Sequence, residues 1–526
     1  MKKWSSYNSN LTSNSYDAII IGSGIGGLTT GALLSLRGLK VLILEKHFKI
    51  GGWTHTFRRR NYEWDVGIHY IGEVHKKWAL ARKIFDLISD KKLEWSKMDK
   101  NYDRIIFQDR FYNFIEPRQR FIDDMIGYFP NEEKAILSYM KLLDDVVRSA
   151  RPYFANKAMP TFLGGITYPF MSKNFFKYSD KTTYDVLSSL TNNEKLIGVL
   201  TGQWGDYGLP PKKSSFAMHA FVAKHYLDGA NYPTGSSRRI AETISDTIEK
   251  NGGSLAVNAQ VKEIIIKSNR VFGVRMDNGD ELYANTVVSN AGIMNTFENL
   301  VSGRELLKKY KNKLNSIRKT ESYICLHIGL KNSSKELNLN NTNLWIYPSY
   351  DHDLNVEKYM RDENGTFPVL YISFPSLKDN SWDKSKKKYT TIEAITMSKW
   401  EWYNNWSDSA WKRRGDEYKL HKETLTKNIM SIVNKNVIGI ENSIDHLELS
   451  TPLTVRDLAN YQKGEMYGLN HDPQRFRQRI LQPRTKIKNL FLTGQDITTV
   501  GVTSALFSGM LTASAIEKKN LYSMLK

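Results

Sequence analysis

The chain holds one cysteine in 526 residues, so it can form no internal disulfide, and a reducing compartment suits it. That thiol, Cys325, alternates with Ile324 and Leu326 in an apolar run and reads as a buried structural residue. Long hydrophobic runs are missing too, and none approaches the ~20 residues that cross a bilayer. Residues 1–15 carry lysines but no apolar segment of the secretory type, and are expected to be a frayed polar tail. There is no internal repeat, no low-complexity linker and no cysteine–histidine spacing that suits a metal. A cytoplasmic protein is expected, with metal chemistry set aside.

Negative charge is also short: 75 lysines and arginines face 55 acids, giving a net charge of +20 and a pI near 9.5. The basic residues are spread along the chain without a nucleic-acid motif, so no nucleic-acid partner is expected. An anionic membrane surface fits better. Residues 151–181 intersperse Phe154, Phe162, Leu163, Ile166, Phe170 and Phe175 with Lys157, Lys173, Lys177 and Lys181. Such a stretch can rest in the headgroup layer while its ammonium groups meet lipid phosphates, or it can simply wall a pocket. Peripheral attachment at the inner face of the cell membrane is the resulting expectation.

What is present starts at residue 16. An apolar strand, 18–21, runs into Gly22-x-Gly24-x-Gly26-Gly27, then an Ala/Leu-rich helix, then a second strand, 41–44, closed by Glu45-Lys46. This is a full βαβ dinucleotide-binding unit. Gly22 permits the tight turn, Gly24 lets backbone approach a pyrophosphate, and Gly27 lets the helix pack on the sheet. Glu45 is placed to accept hydrogen bonds from ribose hydroxyls. A glycine pair, Gly51-Gly52, follows, as in flavoproteins of the amine-oxidase and phytoene-desaturase type.

The far end of the chain adds a second signal. Residues 489–493 read as a strand running into Gly494-Gln495-Asp496, and Gly501-Val502-Thr503 then opens an apolar helix. Asp496 suits the ribityl or pyrophosphate part of FAD, and the helix N-terminus, with Val502 and Thr503, suits the flavin pyrimidine carbonyl. Strands are expected at 255–257, 263–267, 271–276, 281–282 and 286–289, with a hairpin turn at Asp277-Asn278-Gly279.

The fold class expected is α/β: a Rossmann-like FAD domain built from 16–73, 232–298 and 485–526, interleaved with an α+β substrate domain from 74–231 and 299–484. The insertion 74–231 reads as largely helical, with Thr191-x-x-Glu194 matching a capping box. The second insertion carries strands at 323–330, 369–374 and 391–397. No second GxGxxG appears, so no internal pyridine-nucleotide domain supplies electrons and the electron donor is left unknown.

The chain resembles the retinol saturase and carotenoid isomerase branch of the phytoene desaturase-like flavoproteins, as a bacterial member. The resemblance covers most of the chain and rests on Gly51-Gly52-Trp53-Thr54-His55-Thr56-Phe57, Trp64-Asp65-Val66-Gly67-Ile68-His69-Tyr70-Ile71-Gly72, Gly202-Gln203-Trp204-Gly205-Asp206-Tyr207, His225-Tyr226-Leu227-Asp228-Gly229 and Thr493-Gly494-Gln495-Asp496. It departs at Trp53-Thr54, where the resemblance to saturases implies small residues or cysteine. The resemblance implies bound FAD, a lipophilic polyene (retinoid, carotenoid or polyunsaturated fatty acid) and chemistry at a carbon–carbon double bond. Saturation is the favoured outcome, cis–trans isomerisation the first alternative, and non-catalytic prenyl-lipid binding of the Rab escort type the second. It also implies that backbone at Val261 meets the adenine.

His69 and Tyr70 are the candidate proton donors, since hydride addition to one alkene carbon leaves its neighbour needing a proton. Trp204, in a Gly-bounded loop, and Glu465, in a polar-aromatic group with Tyr461, Tyr467 and His471, complete the catalytic candidates. His219 reads as core.

Overall fold

The computed structural model describes residues 4–301, 310, 312–384 and 388–525. Two sheets organise it. In the first, parallel strands run in the order Ser5–Ser6, Ser254–Val257, Val41–Leu44, Tyr16–Ile21, Glu281–Ser289 and Leu490–Leu492. Antiparallel strands Arg270–Met276 and Val261–Lys267 extend it from the first half of Glu281–Ser289. Strands covered on both faces must be apolar throughout, and residues 18–20 and 41–43 are fully buried runs of Val, Ile, Leu and Ala.

The two chain ends meet in this sheet. Helix Ile25–Leu36, which follows the glycine loop, lies against helix Val502–Glu517. A Cβ at Gly509 would stand 2.5 Å from the Thr29 side chain and 2.9 Å from the Gly26 carbonyl, so only glycine admits that approach.

The second sheet has seven strands in the order Ile444–Ser450, Ser322–Leu330, Thr390–Ser398, Leu370–Ser373, Asn343–Ile346, Asn101–Ile106 and Phe111–Ile115. A helical layer, Glu133–Ala158, Thr161–Ser179 and Phe216–Tyr226, closes the adjoining side. The main apolar core lies between this layer and the second sheet.

Several expectations are revised. The tail does not fray where it is described: Ser5 and Ser6 pair with Ala256 and Val257, and the Tyr7 and Ser9 hydroxyls donate to Asp280; residues 1–3 lie outside the described residues. The expected strands 281–282 and 286–289 are one strand. Within the insertion 74–231, expected to be largely helical, 101–106 and 111–115 are strands that complete the second sheet. Asn193, not Thr191, caps the helix Glu194–Leu200, because its side chain accepts from the Leu196 N–H while Thr191 is bonded to Glu132.

Candidate active site

A cavity of about 1840 Å³ runs between the two sheets. That exceeds the ~300–1,000 Å³ of a site for one drug-sized ligand, so there is room for a dinucleotide and a second long molecule. Gly22, Gly24, Gly26, Glu45, Lys46, Gly51, Gly52, Val261, Gly494, Asp496, Val502 and Thr503 all line it. Gly27 lies behind the wall, where a Cβ would meet the Gly22 carbonyl at 2.2 Å; its role is to close the turn.

The cradle is made of backbone from distant segments. A Cβ at Gly26 would lie 2.6 Å from the Gly494 nitrogen, and one at Gly24 2.8 Å from Asn290 Nδ2. Gly24 bridges Gly51, and Gly22, Gly51, Gly52 and Gly494 all have positive φ, open to glycine at little cost. Glu45 holds the loop from below: Oε2 accepts the Ser23 N–H and hydroxyl at 2.8 and 2.6 Å, and Oε1 the His47 N–H at 2.8 Å. Lys46 Nζ reaches Asn460 Oδ1.

Asp496 is buried and accepts the Ile293 N–H at 2.8 Å; burial raises its pKa despite the Arg475 guanidinium. Arg475, itself buried, donates to the carbonyls of Gln495, Asp496 and Thr498, and His471 accepts the Val500 N–H. Together these bonds fix the turn that presents Gly501 and the helix N-terminus to the cavity. The Thr503 hydroxyl there is buried and has no hydrogen-bond partner among the described residues. Gln495 faces the cavity but donates to the Tyr461 hydroxyl and the Tyr467 carbonyl, so the polar-aromatic group serves as support.

The second sheet forms the opposite wall, and it is banded. Side chains of one face recur every second residue, so Tyr323, Cys325 and His327 look the same way, as do Met397, Ile395 and Glu393 on the paired strand. The Tyr323–Met397 row is apolar. Four residues along, about 13 Å, the His327–Glu393 row is polar and continues across the sheet through Ser373. Farther over, Asn343 pairs with Asp103. Lys378 lies on this band, donating to the His69 carbonyl (2.9 Å), Asn343 Oδ1 (2.5 Å) and Ser373 Oγ (2.7 Å). Burial brings its pKa down to about 7, against the opposing pull of Asp103, Glu393, Asp65 and Asp206.

His69 and Tyr70 stand where this band meets the cavity. His69 Nδ1 is 3.1 Å from Glu393 Oε2. Tyr70 stacks on Tyr226 at 4.2 Å and donates to Asp103 Oδ2 at 2.9 Å, with Asp206 Oδ2 at 3.2 Å. Burial, then the neighbouring Asp103 charge, raises the pKa of Asp206, which lines the cavity, well above its ordinary value. Trp204 is fully buried beside His352 and Tyr347 and acts as wall.

Glu465 does not reach the cavity. A backbone bridge to Ser322 turns its carboxylate toward Lys319 Nζ (3.5 Å) and the Lys463 N–H (3.0 Å), while Met466 and Tyr467 take the cavity side. His219 is core, held between the hydroxyls of Tyr139 and Tyr207. Glu393, His327, Lys378 and Asp103 were not foreseen. Glu393 left one trace, the lone charged residue in the strand Thr390–Ser398.

Trp78, Leu80, Arg148, Arg151 and Phe154 are among the residues that line the cavity. Trp78 is 72% exposed, and on helix Thr161–Ser179 Phe162 and Phe170 are 77% and 80% exposed, with Leu163 and Ile166 beside them. No helix among the described residues is long and apolar enough to cross a membrane.

Comparison with known proteins places this geometry. A family model of NAD(P)-binding Rossmann-like domains matches residues 20–84. The all-trans-retinol 13,14-reductase of Danio rerio is 34% identical over 96% of this chain and 86% of that protein. A chloroplastic prolycopene isomerase of Daucus carota is 23% identical over 96% of this chain and 80% of that protein. Among solved structures, a putrescine oxidase superposes with a TM-score of 0.63 at 13% identity, covering 96% of this chain and 100% of that one, which bears on the fold alone. The full-length match, with the cradle and banded cavity behind it, settles the lineage: the chain belongs to the retinol saturase and carotenoid isomerase branch of the phytoene desaturase-like flavoproteins.

Proposed function

We propose that the protein is an FAD-dependent oxidoreductase that saturates a carbon–carbon double bond in a lipophilic polyene, drawing electrons from a separate donor. The observation that carries this reading is one cavity with a glycine-lined dinucleotide cradle at one side and a long, largely apolar chamber ending in a polar band at the other. The residues fit FAD. Gly22, Gly24, Gly26 and Gly494 leave room for a pyrophosphate, Glu45 and Lys46 serve the ribose end, backbone at Val261 the adenine, and Asp496 the ribityl chain. Thr503 Oγ1, without a partner among the described residues, and the helix N-terminus, which no described side chain caps, offer donors.

Reduced flavin, when bound, supplies a hydride to one alkene carbon. The rest falls to the chain. Apolar walls hold the polyene extended and keep water away, which favours reduction over side reactions. His69 protonates the neighbouring carbon. Tyr70, fixed between Asp103 and Asp206, orients the substrate beside it. The prolycopene isomerase relative keeps open the first alternative, isomerisation without net redox change.

We further propose that the exposed Trp78, Phe162 and Phe170, with Arg148, Arg151 and Lys173 nearby in sequence, rest on an anionic bilayer so that substrate enters from lipid. The test of the enzymatic reading is anaerobic reoxidation of the photoreduced flavoprotein by retinoids, carotenoids and unsaturated fatty acids. Recovery of oxidised-flavin absorbance with a polyene supports it. A protein that cannot be loaded with FAD removes it.

A further inference from the structure

Reduction of an alkene in a water-poor cavity needs a proton donor that is held in one orientation. His69 lines the cavity, and its partner sits on a different sheet strand, more than 300 residues away in sequence. Glu393 is fully buried, with Oε2 3.1 Å from His69 Nδ1 and Oε1 3.8 Å from His327 Nδ1. The 3.1 Å approach is an ion-pair distance whose angles fall short of a hydrogen bond, so His69 Nδ1 and both Glu393 oxygens have no hydrogen-bond partner among the described residues; no described hydrogen bond engages His69 Nε2 either. His327 is tied on its far side to Ser450 Oγ at 3.2 Å, and it stands directly opposite Glu393 in the strand register.

A carboxylate with no apolar alternative is costly to bury, so its retention points to a task. Burial pushes the Glu393 pKa up, but His327 and His69 outweigh this and hold it below the usual value. The nearby Asp65, which accepts the Tyr232 hydroxyl at 2.6 Å, is driven the other way: burial and the Glu393 charge raise its pKa to about 8. Of the two acids, Asp65 keeps the proton and Glu393 the charge. An ionised carboxylate only accepts, so the Nδ1 facing it carries hydrogen and Nε2 is the atom presented to substrate.

We propose that Glu393 is the positioning residue of a proton-delivering dyad with His69. This rests on the reductase reading and names the residue that makes its second half-step work. As the π bond breaks, one carbon gains hydride from reduced flavin and its neighbour gains the proton of His69 Nε2. The imidazolium thereby becomes neutral imidazole and takes a proton back from solvent. Besides Glu393, the charged or titratable groups around His69 are His327, Asp65, Lys378, Tyr371 and the Tyr70–Asp103–Asp206 set.

The test compares wild type, Glu393→Gln, Glu393→Asp, His69→Asn and the His69→Asn/Glu393→Gln double variant. It uses single turnover of the reduced flavoprotein with a polyene that wild type reduces. Flavin content, melting temperature and equilibrium polyene binding, read by tryptophan fluorescence, show whether each variant is intact. The dyad predicts a 10- to 100-fold slower single turnover in Glu393→Gln with polyene affinity within twofold of wild type. It predicts partial rescue by Glu393→Asp and a double variant no slower than His69→Asn alone. Loss in Glu393→Gln that is repeated in full on the His69→Asn background assigns Glu393 a structural role and overturns the dyad. So does a Glu393→Gln enzyme as fast as wild type with the same pH profile. If wild type itself reduces no polyene, the reductase reading falls and takes the dyad with it.

Discussion

The contact between Gly26 and Gly494 gives the sharpest prediction, because it joins residues 468 positions apart at the cofactor cradle. A methyl group at Gly26 would sit 2.6 and 2.7 Å from the backbone nitrogen and Cα of Gly494 and 2.8 Å from Asn290 Oδ1. Two of those atoms are main chain, which no rotamer change can move. Overpacking a tight site costs about 1–3 kcal/mol, and relief requires the glycine loop to part from the C-terminal turn. Both segments would touch the dinucleotide, so the displacement appears in cofactor affinity, about 5- to 150-fold at about 1.4 kcal/mol per tenfold. Gly127→Ala is the control: it lies in helix Arg118–Tyr128 with nothing within 4 Å and should be neutral or slightly stabilising. The assay is the flavin-to-protein absorbance ratio after purification, followed by FAD titration of the stripped protein. Wild-type affinity in Gly26→Ala would refute the convergence of the two chain ends on one cofactor.

Three further outcomes follow from the same geometry. Glu45→Ala removes the acceptor for Ser23 and His47 and should lower FAD occupancy; full occupancy after purification contradicts the ribose assignment. His219 (about 3) and His55, His225 and His352 (about 4 each) are held neutral by burial, below the usual histidine value of about 6.5. At these histidines the unfolded chain binds protons that the folded chain refuses, so their contribution to stability falls as pH drops from about 6.5 toward 4, while Asp65, raised to about 8, contributes in the opposite direction. The change in urea midpoint between pH 7 and pH 5 should become less unfavourable at pH 5 in His352→Gln than in wild type, and an identical change in the two proteins contradicts the assignment. Phe162→Ser/Phe170→Ser should lose co-sedimentation with phosphatidylserine vesicles at unchanged flavin content; equal binding by the variant would move the contact elsewhere.

How much of this was readable from residues alone depends on how local each signal is. The glycine loop, Glu45, the Asp277-Asn278-Gly279 hairpin and the Gly494-Gln495-Asp496 turn are encoded within a few positions, where backbone demands leave little freedom. Their meeting in one cradle followed from shared chemistry. The polar band did not announce itself, because it is a property of strand register: Asp103, Asn343, Ser373, Glu393 and His327 come from five separate strands. Alternation in 322–330 shows that Tyr323, Cys325 and His327 share a face, yet not what they oppose. Glu465 misled for the converse reason, since its neighbours Tyr461 and Tyr467 do face the cavity and the backbone bridge to Ser322 turns it away. Strands 101–106 and 111–115 were hidden inside a largely helical insertion.

The central claim is net reduction of a polyene, and product mass tests it most directly. The FAD-loaded, photoreduced protein is mixed anaerobically in deuterium oxide with a polyene that reoxidises it, and the product is weighed by mass spectrometry. Saturation predicts a product heavier by two deuteriums, because the reduced-flavin N5–H and the imidazole N–H both exchange with solvent, matched by one oxidised flavin. A product of unchanged mass with altered double-bond geometry would contradict it and assign the protein to isomerisation.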